Sequence, residues 1–159
     1  MRSLLLLFPS LALAIEIGGG LGVNLPMGGL GIYHTYAPSL FLYSSLNRPI
    51  GSLIIGFEQW TLAGRYPGYQ SSGMMFSLSF GHKIFKGIRG EIGGGPNIIT
   101  RRRKEMREKG YASGIEIGLS FSQVKKRTKF RVGLYNFILL DKKSTASIIS
   151  IKAGLGYGE

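Results

Sequence analysis

The stretch that decides the fold is Glu16–Asn24, "EIGGGLGVN", in which four of nine residues are glycine. Ile17, Leu21 and Val23 lie at alternate positions, and alternation of this kind predicts a β-strand with one apolar face. Glycine inside a strand weakens it unless another group must come close to the backbone. We therefore expect the glycine face of this strand to line a crowded, enclosed space.

The first residues are typical of a secretory signal. Met1, Arg2 and Ser3 precede the apolar run "LLLLFPSLALA", which ends in small residues at alternate positions. The apolar run is shorter than the about 20 residues that a membrane-spanning helix needs, which disfavours a retained anchor. We predict that residues 1–14 are a signal peptide and that residues 15–159 form one exported domain.

The composition limits the classes of partner. The chain has no cysteine and a net charge of +12. An exported domain of this size without disulfides needs another source of stability, such as dense backbone hydrogen bonding. The basic run "RRRK" at residues 101–104 would suit a nucleic acid, but export argues against that partner, so we expect no nucleic-acid binding.

Eight segments with period-two alternation follow the signal, and no helical period competes with them. They cover residues 15–24, 39–46, 51–62, 72–84, 88–100, 110–124, 129–140 and 145–157. The connections at 25–38, 63–71 and 101–109 are long, those at 47–50, 85–87 and 125–128 are short, and only 141–144 breaks this order. Short turns at one end and longer loops at the other are typical of outer-membrane β-barrels.

Each segment has one apolar face and one face of glycine, serine and charged residues. A secreted lipocalin-like barrel would hold the apolar face inside, whereas a membrane barrel turns it towards lipid. Abundant glycine would only weaken a water-facing surface, but inside an eight-stranded barrel it leaves room for long side chains. We therefore predict an all-β fold, an up-and-down antiparallel eight-stranded transmembrane β-barrel with a Gly-rich, charged lumen.

The predicted lumen carries charges of both signs in near balance, and charges in a confined space need partners. We interpret them as a salt-bridge network that fills a lumen without an open pore, with a gate or proton path as the alternative. The residues of this predicted network are Glu16, Glu58, Arg89, Glu91, Glu116, Arg131 and Lys152.

With this pattern the mature chain resembles the small outer-membrane barrels of the OmpA transmembrane-domain and OmpX type. In such barrels the last strand has the form polar-x-Gly-x-x-aromatic-x-aromatic, and Lys152, Gly154 and Tyr157 match it, with Glu159 in the final aromatic place. The resemblance implies a bacterial outer-membrane location and insertion by the outer-membrane barrel assembly machinery.

Basic residues dominate the predicted outer rim. Phosphate groups of lipopolysaccharide or another anionic lipid would bind such residues through charge-assisted hydrogen bonds, although a merely solvated fringe is the alternative. The predicted phosphate-binding residues are Arg101, Arg102, Arg103, Lys104, Arg107 and Lys109.

The resemblance to small outer-membrane barrels also includes enzymes, namely those of the palmitoyltransferase and lipid A deacylase types. Candidate catalytic residues on the same rim are His34, Ser71, Ser72 and Asp141, which could supply a nucleophile, a base and an acid. Two histidines and no cysteine suggest neither a metal site nor a cofactor. The leading interpretation is a structural, adhesive or lipid-interacting outer-membrane protein, and the alternative is a lipid A-modifying acyltransferase or deacylase.

Overall fold

The computed structural model describes residues 14–48, 51–140 and 145–158. Eight long strands, one short helix and a two-residue strand make up this part of the chain. Their bounds are β1 Ala14–Met27, α1 Gly29–Tyr33, β2 His34–Thr35, β3 Ala37–Arg48, β4 Gly51–Gly64, β5 Tyr69–Phe85, β6 Ile88–Arg103, β7 Met106–Lys125, β8 Thr128–Leu140 and β9 Thr145–Gly158.

The eight long strands form a closed barrel. Each pairs with the next in antiparallel register, and β1 pairs with β9 to complete the ring. The short β2 extends this sheet by pairing with the end of β4. The predicted fold class, an up-and-down eight-stranded barrel, is therefore confirmed. Within the described ranges, no helix has the length and hydropathy needed to cross a membrane.

The apolar faces point outward. Ile17 and Leu21 of β1 are exposed, whereas Glu16 and Asn24 of the same strand are buried in the lumen. Exposed aromatic residues lie near both ends of this apolar belt, such as Tyr111 towards one rim and Tyr157 towards the other. Such aromatic girdles flank the lipid-facing band of membrane barrels. This arrangement excludes the lipocalin-like alternative, whose apolar face would be inside.

Close approach explains the glycines of the opening stretch. Gly18 lies opposite Tyr43 on one side and Gly156 on the other. A Cβ atom on Gly18 would lie 2.6 Å from Tyr43 Cζ and 2.6 Å from the Leu155 carbonyl oxygen. Only a residue without a side chain fits, so the glycine face of β1 makes room for a large lumen residue.

Two of the predicted loops are largely strand. Residues 63–71 and 101–109 shrink to connections at 65–68 and 104–105, because β4, β5, β6 and β7 continue past the apolar belt. The pairs Arg101–Glu108 and Arg102–Arg107 belong to the β6–β7 ladder. Both faces of the β6–β7 extension contact water, so its sequence has no alternation of apolar and polar residues that would predict a strand. We call residues 101–109 the basic hairpin, and its end of the barrel the outer rim.

The lumen is divided into two halves. The half nearer the chain termini holds the charged residues, as predicted, but the half nearer the basic hairpin is filled by apolar side chains. This apolar plug consists of Trp60, Leu62, Met75, Ile99, Ala112, Phe137, Leu139 and Ile148. Among the described residues, the buried charges of the lumen thus lie in its inner half.

Some predictions fall outside the described residues. The predicted signal peptide does so except for Ala14, the first residue of β1. Asp141 and Glu159 also lie outside them. The division into signal and mature domain, and recognition of the last strand by the assembly machinery, stay predictions.

Candidate functional site: the lumen network and the outer mouth

The innermost part of the network is centred on the carboxylate of Glu16. Lys129 Nζ lies 2.7 Å from Glu16 Oε2. The Tyr43 hydroxyl donates to Glu16 Oε1 at 2.6 Å, and the Asn47 amide approaches Oε2 at 3.4 Å. These donors stabilise a carboxylate that is itself buried.

A second group surrounds Glu91. Arg131 forms an ion pair with its carboxylate, and the hydroxyls of Ser120 and Tyr135 donate to it as well. The Arg131 guanidinium also lies over the ring of Tyr43, 5.2 Å from its centroid. Arg131 therefore joins this group to the one around Glu16.

Lys152 stands at the centre of the third group. Its ammonium lies 2.6 Å from an oxygen of Glu58 and 2.6 Å from an oxygen of Glu116. It also lies 4.6 Å from the centroid of the Tyr135 ring. One buried cation thus holds two buried carboxylates.

The structure brings together the predicted lumen residues and adds others. Arg89, the remaining predicted member, is half-buried, and its side chain packs against Gly81. Lys129, which sequence reasoning left at the inner rim, enters the lumen. It shares the parity of Arg131 along β8, so strand alternation could have identified it. With Lys129 included, four carboxylates face four cations.

The network and the plug leave little free space. Among the charged side chains the remaining cavity is about 50 Å³. Above it, Trp60 Nε1 donates to Asn97 Oδ1 at 3.2 Å, and both side chains are buried. The charged side chains and the apolar plug thus occupy most of the lumen between the described strands.

The strand pleat divides the basic hairpin into two faces. Arg101 pairs with Ser71 and Glu108, and Arg103 with Tyr69 and Met106, so these arginines share the inward face of their strand. Arg102 and Arg107 face each other on the outward side. The sequence treats the six basic residues as one cluster, but neighbouring residues of a strand point to opposite faces.

The outward face contains a pocket of about 400 Å³, lined by Gln70, Thr100, Arg102, Glu105 and Arg107. Like charges directly opposite each other destabilise a ladder. An anion between Arg102 and Arg107 would relieve this repulsion. Lys104 lies at the turn, and Lys109, which pairs with Thr100, is exposed.

At the outer mouth, two predicted catalytic residues are in contact. Ser71 Oγ lies 2.9 Å from His34 Nε2, and His34 Nδ1 lies 3.2 Å from the Leu30 carbonyl oxygen. Since a carbonyl oxygen only accepts hydrogen bonds, Nδ1 carries the ring proton and Nε2 accepts from the Ser71 hydroxyl. Ser72 does not join them, because alternation along β5 turns its side chain to the outer surface.

This histidine lies beyond the apolar belt, where it pairs with Gly64, and its partner Ser71 pairs with Arg101 in the ladder. Burial and the positive charge of Arg101 lower the pKa of His34, although the hydrogen bond to Leu30 opposes this shift. His34 therefore stays neutral to a lower pH than a free histidine. The pair borders a pocket of about 460 Å³ at the mouth, whose wall includes Tyr33, Arg101 and Arg103.

No protein-family model matches the chain, and no curated protein matches its sequence. Its fold is similar to that of Neisserial surface protein A, with a TM-score of 0.61 and 8% identity over 91% of this chain and 97% of that one. The outer membrane protein OprG from Pseudomonas aeruginosa gives a TM-score of 0.56 and 11% identity over 93% and 96%.

The N-terminal β-barrel domain of Pseudomonas aeruginosa OprF gives a TM-score of 0.55 and 9% identity over 91% of this chain and 97% of that one. These neighbours agree with the outer-membrane location that the sequence predicts. In its fold, its closure and its outward apolar belt, this chain is a small eight-stranded β-barrel of the bacterial outer-membrane type.

Proposed function

We propose that this chain is an integral outer-membrane protein without an open pore, and that its basic hairpin binds phosphate groups of lipopolysaccharide in the outer leaflet. The observation that carries the proposal is the outward pair Arg102 and Arg107, which lie opposite each other beyond the apolar belt. Phosphate accepts charge-assisted hydrogen bonds from guanidinium groups. Lipid binding at this place would suit a structural or adhesive role at the cell surface.

The position of the pair supports a membrane lipid as the ligand. The outward face of the hairpin continues the face that meets lipid lower down, so a head group beside the barrel wall lies next to these arginines. Lys109 adds a third cation on that side, one ladder step closer to the belt.

The pleat supplies a matched test. Arg102→Gln with Arg107→Gln removes two charges from the outward face, and Arg101→Gln with Arg103→Gln removes two from the inward face. We expect the outward variant to retain less lipopolysaccharide after purification, by about tenfold at low salt, because each charge-assisted contact contributes on the order of 1 kcal/mol. The inward variant should retain the wild-type amount.

Lipid retention is measured by mass spectrometry of the purified barrel at low and at physiological salt. Salt screens exposed charges over about 8 Å at physiological ionic strength, so the difference between the variants should shrink there. Equal retention by both variants and the wild type at low salt would refute the phosphate site and leave the basic hairpin a solvated surface.

The closed lumen predicts the absence of ion conductance. In planar bilayers, the reconstituted protein should give no steady current steps, because the apolar plug and the ion-pair network fill the barrel. A porin reconstituted in the same bilayer serves as the control. Reproducible steps from the folded protein would contradict the filled lumen.

A further inference from the structure

The outer mouth holds a nucleophile, a base and an orienting group in contact. Ser71 is 4% exposed and His34 is 8% exposed, but both border the mouth pocket. The strongest competing interpretation is a buried hydrogen bond that only closes the top of the barrel.

We propose that Ser71 and His34 form a serine–histidine pair that hydrolyses small anionic esters entering the mouth pocket. A serine hydroxyl becomes a nucleophile when a neighbouring base accepts its proton, and the required distance is about 2.6–3.2 Å. The contact of 2.9 Å meets this requirement.

The local structure holds the histidine in the orientation that this chemistry needs. Its Nδ1–H donates to the Leu30 carbonyl in α1, so Nε2 faces Ser71 with its lone pair. The backbone carbonyl of His34 accepts a hydrogen bond from Arg65 Nε at 3.2 Å, and the His34 backbone pairs with Gly64 at the end of β4. The Leu30 carbonyl takes the orienting place that a carboxylate has in serine–histidine–acid triads.

The reaction balances with water as the only co-reactant. Ser71 Oγ bonds to the acyl carbon while its proton moves to His34 Nε2, and the ester C–O bond breaks. The departing alkoxide takes that proton and leaves as an alcohol. Water then attacks the acyl–serine and gives a proton to His34. As the acyl–serine bond breaks, His34 returns this proton to Ser71 Oγ, and a carboxylic acid leaves.

The pocket wall indicates the substrate class. Arg101 and Arg103 line it beside the rings of Tyr33 and Tyr69, and Glu108 is the acid among the lining residues. Arg103 Nε donates to the Tyr69 hydroxyl at 3.1 Å. This charge favours an ester that carries a phosphate or carboxylate, and Arg101, which pairs with Ser71 in the ladder, would supply a cation for the developing oxyanion.

The orientation of Ser71 disfavours lipid A as the substrate. Ser71 faces the mouth, whereas an acyl chain in the bilayer lies along the outer wall, on the side of Ser72. Substrate therefore reaches Ser71 from the external medium. The two sites lie mainly on opposite faces of the strands, and Arg102 borders both pockets.

The test uses the full mature chain refolded in detergent and a fluorophosphonate, which attaches covalently to activated serines. We expect labelling of Ser71, located by peptide mass spectrometry, and its loss in Ser71→Ala. Ser72→Ala is the matched control and should label as the wild type does. His34→Gln should slow labelling by about 10²-fold or more, which is typical of a lost general base.

A second measurement follows turnover and pH. A 4-nitrophenyl ester with a free carboxylate should be hydrolysed faster than its neutral analogue, and Arg101→Gln should reduce that preference. Loss of activity as the pH falls should have its midpoint below the ordinary histidine value of 6.5, because burial and Arg101 lower the pKa of His34. The charged and titratable groups that face this site are Arg65, Arg101, Arg102, Arg103, Glu108, Tyr33 and Tyr69.

The fold of each variant is checked by heat-modifiable mobility on a gel. If the folded wild type does not label, or labels as fast as Ser71→Ala, the pair is only structural and the proposal is wrong. An unchanged labelling rate in folded His34→Gln would also overturn it.

Discussion

Lys152→Met is expected to cost the barrel about 3–5 kcal/mol of unfolding free energy, the usual loss when one partner of a buried ion pair is removed. The ammonium of Lys152 lies 2.6 Å from carboxylate oxygens of both Glu58 and Glu116. Methionine has a similar length but no charge, so two buried carboxylates lose their shared cation.

The measurement is urea unfolding in lipid vesicles, followed by tryptophan fluorescence. Trp60 is the sole tryptophan and is buried in the lumen, so its emission reports opening of the barrel. Lys125→Met, an exposed lysine near the end of β7, is the matched control and should change stability by less than about 0.5 kcal/mol.

A triple variant isolates the cause. Adding Glu58→Gln and Glu116→Gln to Lys152→Met removes the uncompensated charges and should recover part of the loss, because amides at these positions are neutral. If Lys152→Met is as stable as the wild type, the lumen ion pairs do not hold the barrel together.

Gly18→Ala is expected to destabilise the barrel by about 1–3 kcal/mol, the usual cost of overpacking. The new Cβ would lie 2.6 Å from both Tyr43 Cζ and the Leu155 carbonyl oxygen. The ring of Tyr43 can shift only by weakening its 2.6 Å hydrogen bond to Glu16, and the carbonyl belongs to the barrel ladder.

Gly110→Ala is the matched control, since a Cβ there meets nothing within 4 Å. Both glycines lie in strands, so loss of backbone freedom in the unfolded chain favours both alanine variants by about the same amount. The same urea titration compares them. Equal stability of the two variants would show that β1 does not need glycine for close approach.

The basic hairpin shows what alternation cannot reveal. Residues 101–109 have polar side chains on both faces, so their period of two is invisible in hydropathy, and a loop is the natural prediction. In the structure they continue β6 and β7 as a ladder. Only this ladder separates Arg102 and Arg107 from Arg101 and Arg103, and both functional proposals depend on that separation.

The apolar plug was missed for a related reason. Along β8 the inward face changes from Lys129 and Arg131 to Phe137 and Leu139 without a break in parity. The charged half of each strand identifies that face as polar, so the sequence pattern does not predict that its apolar half also faces the lumen. This change from charged to apolar residues indicates a plug only when the barrel is known, because the plug forms where the outer halves of the eight strands lie side by side.

By itself, the sequence determined the strand class, the face that meets lipid and the buried charges, because a β-strand alternates with a period of two whatever its neighbours. The tertiary structure alone decided which of these charges meet. Glu16 pairs with Lys129 across 113 positions, and His34 meets Ser71 across 37. Such contacts depend on the stagger and tilt with which the strands close into a barrel, and closure is a property of the whole sheet that no single segment encodes.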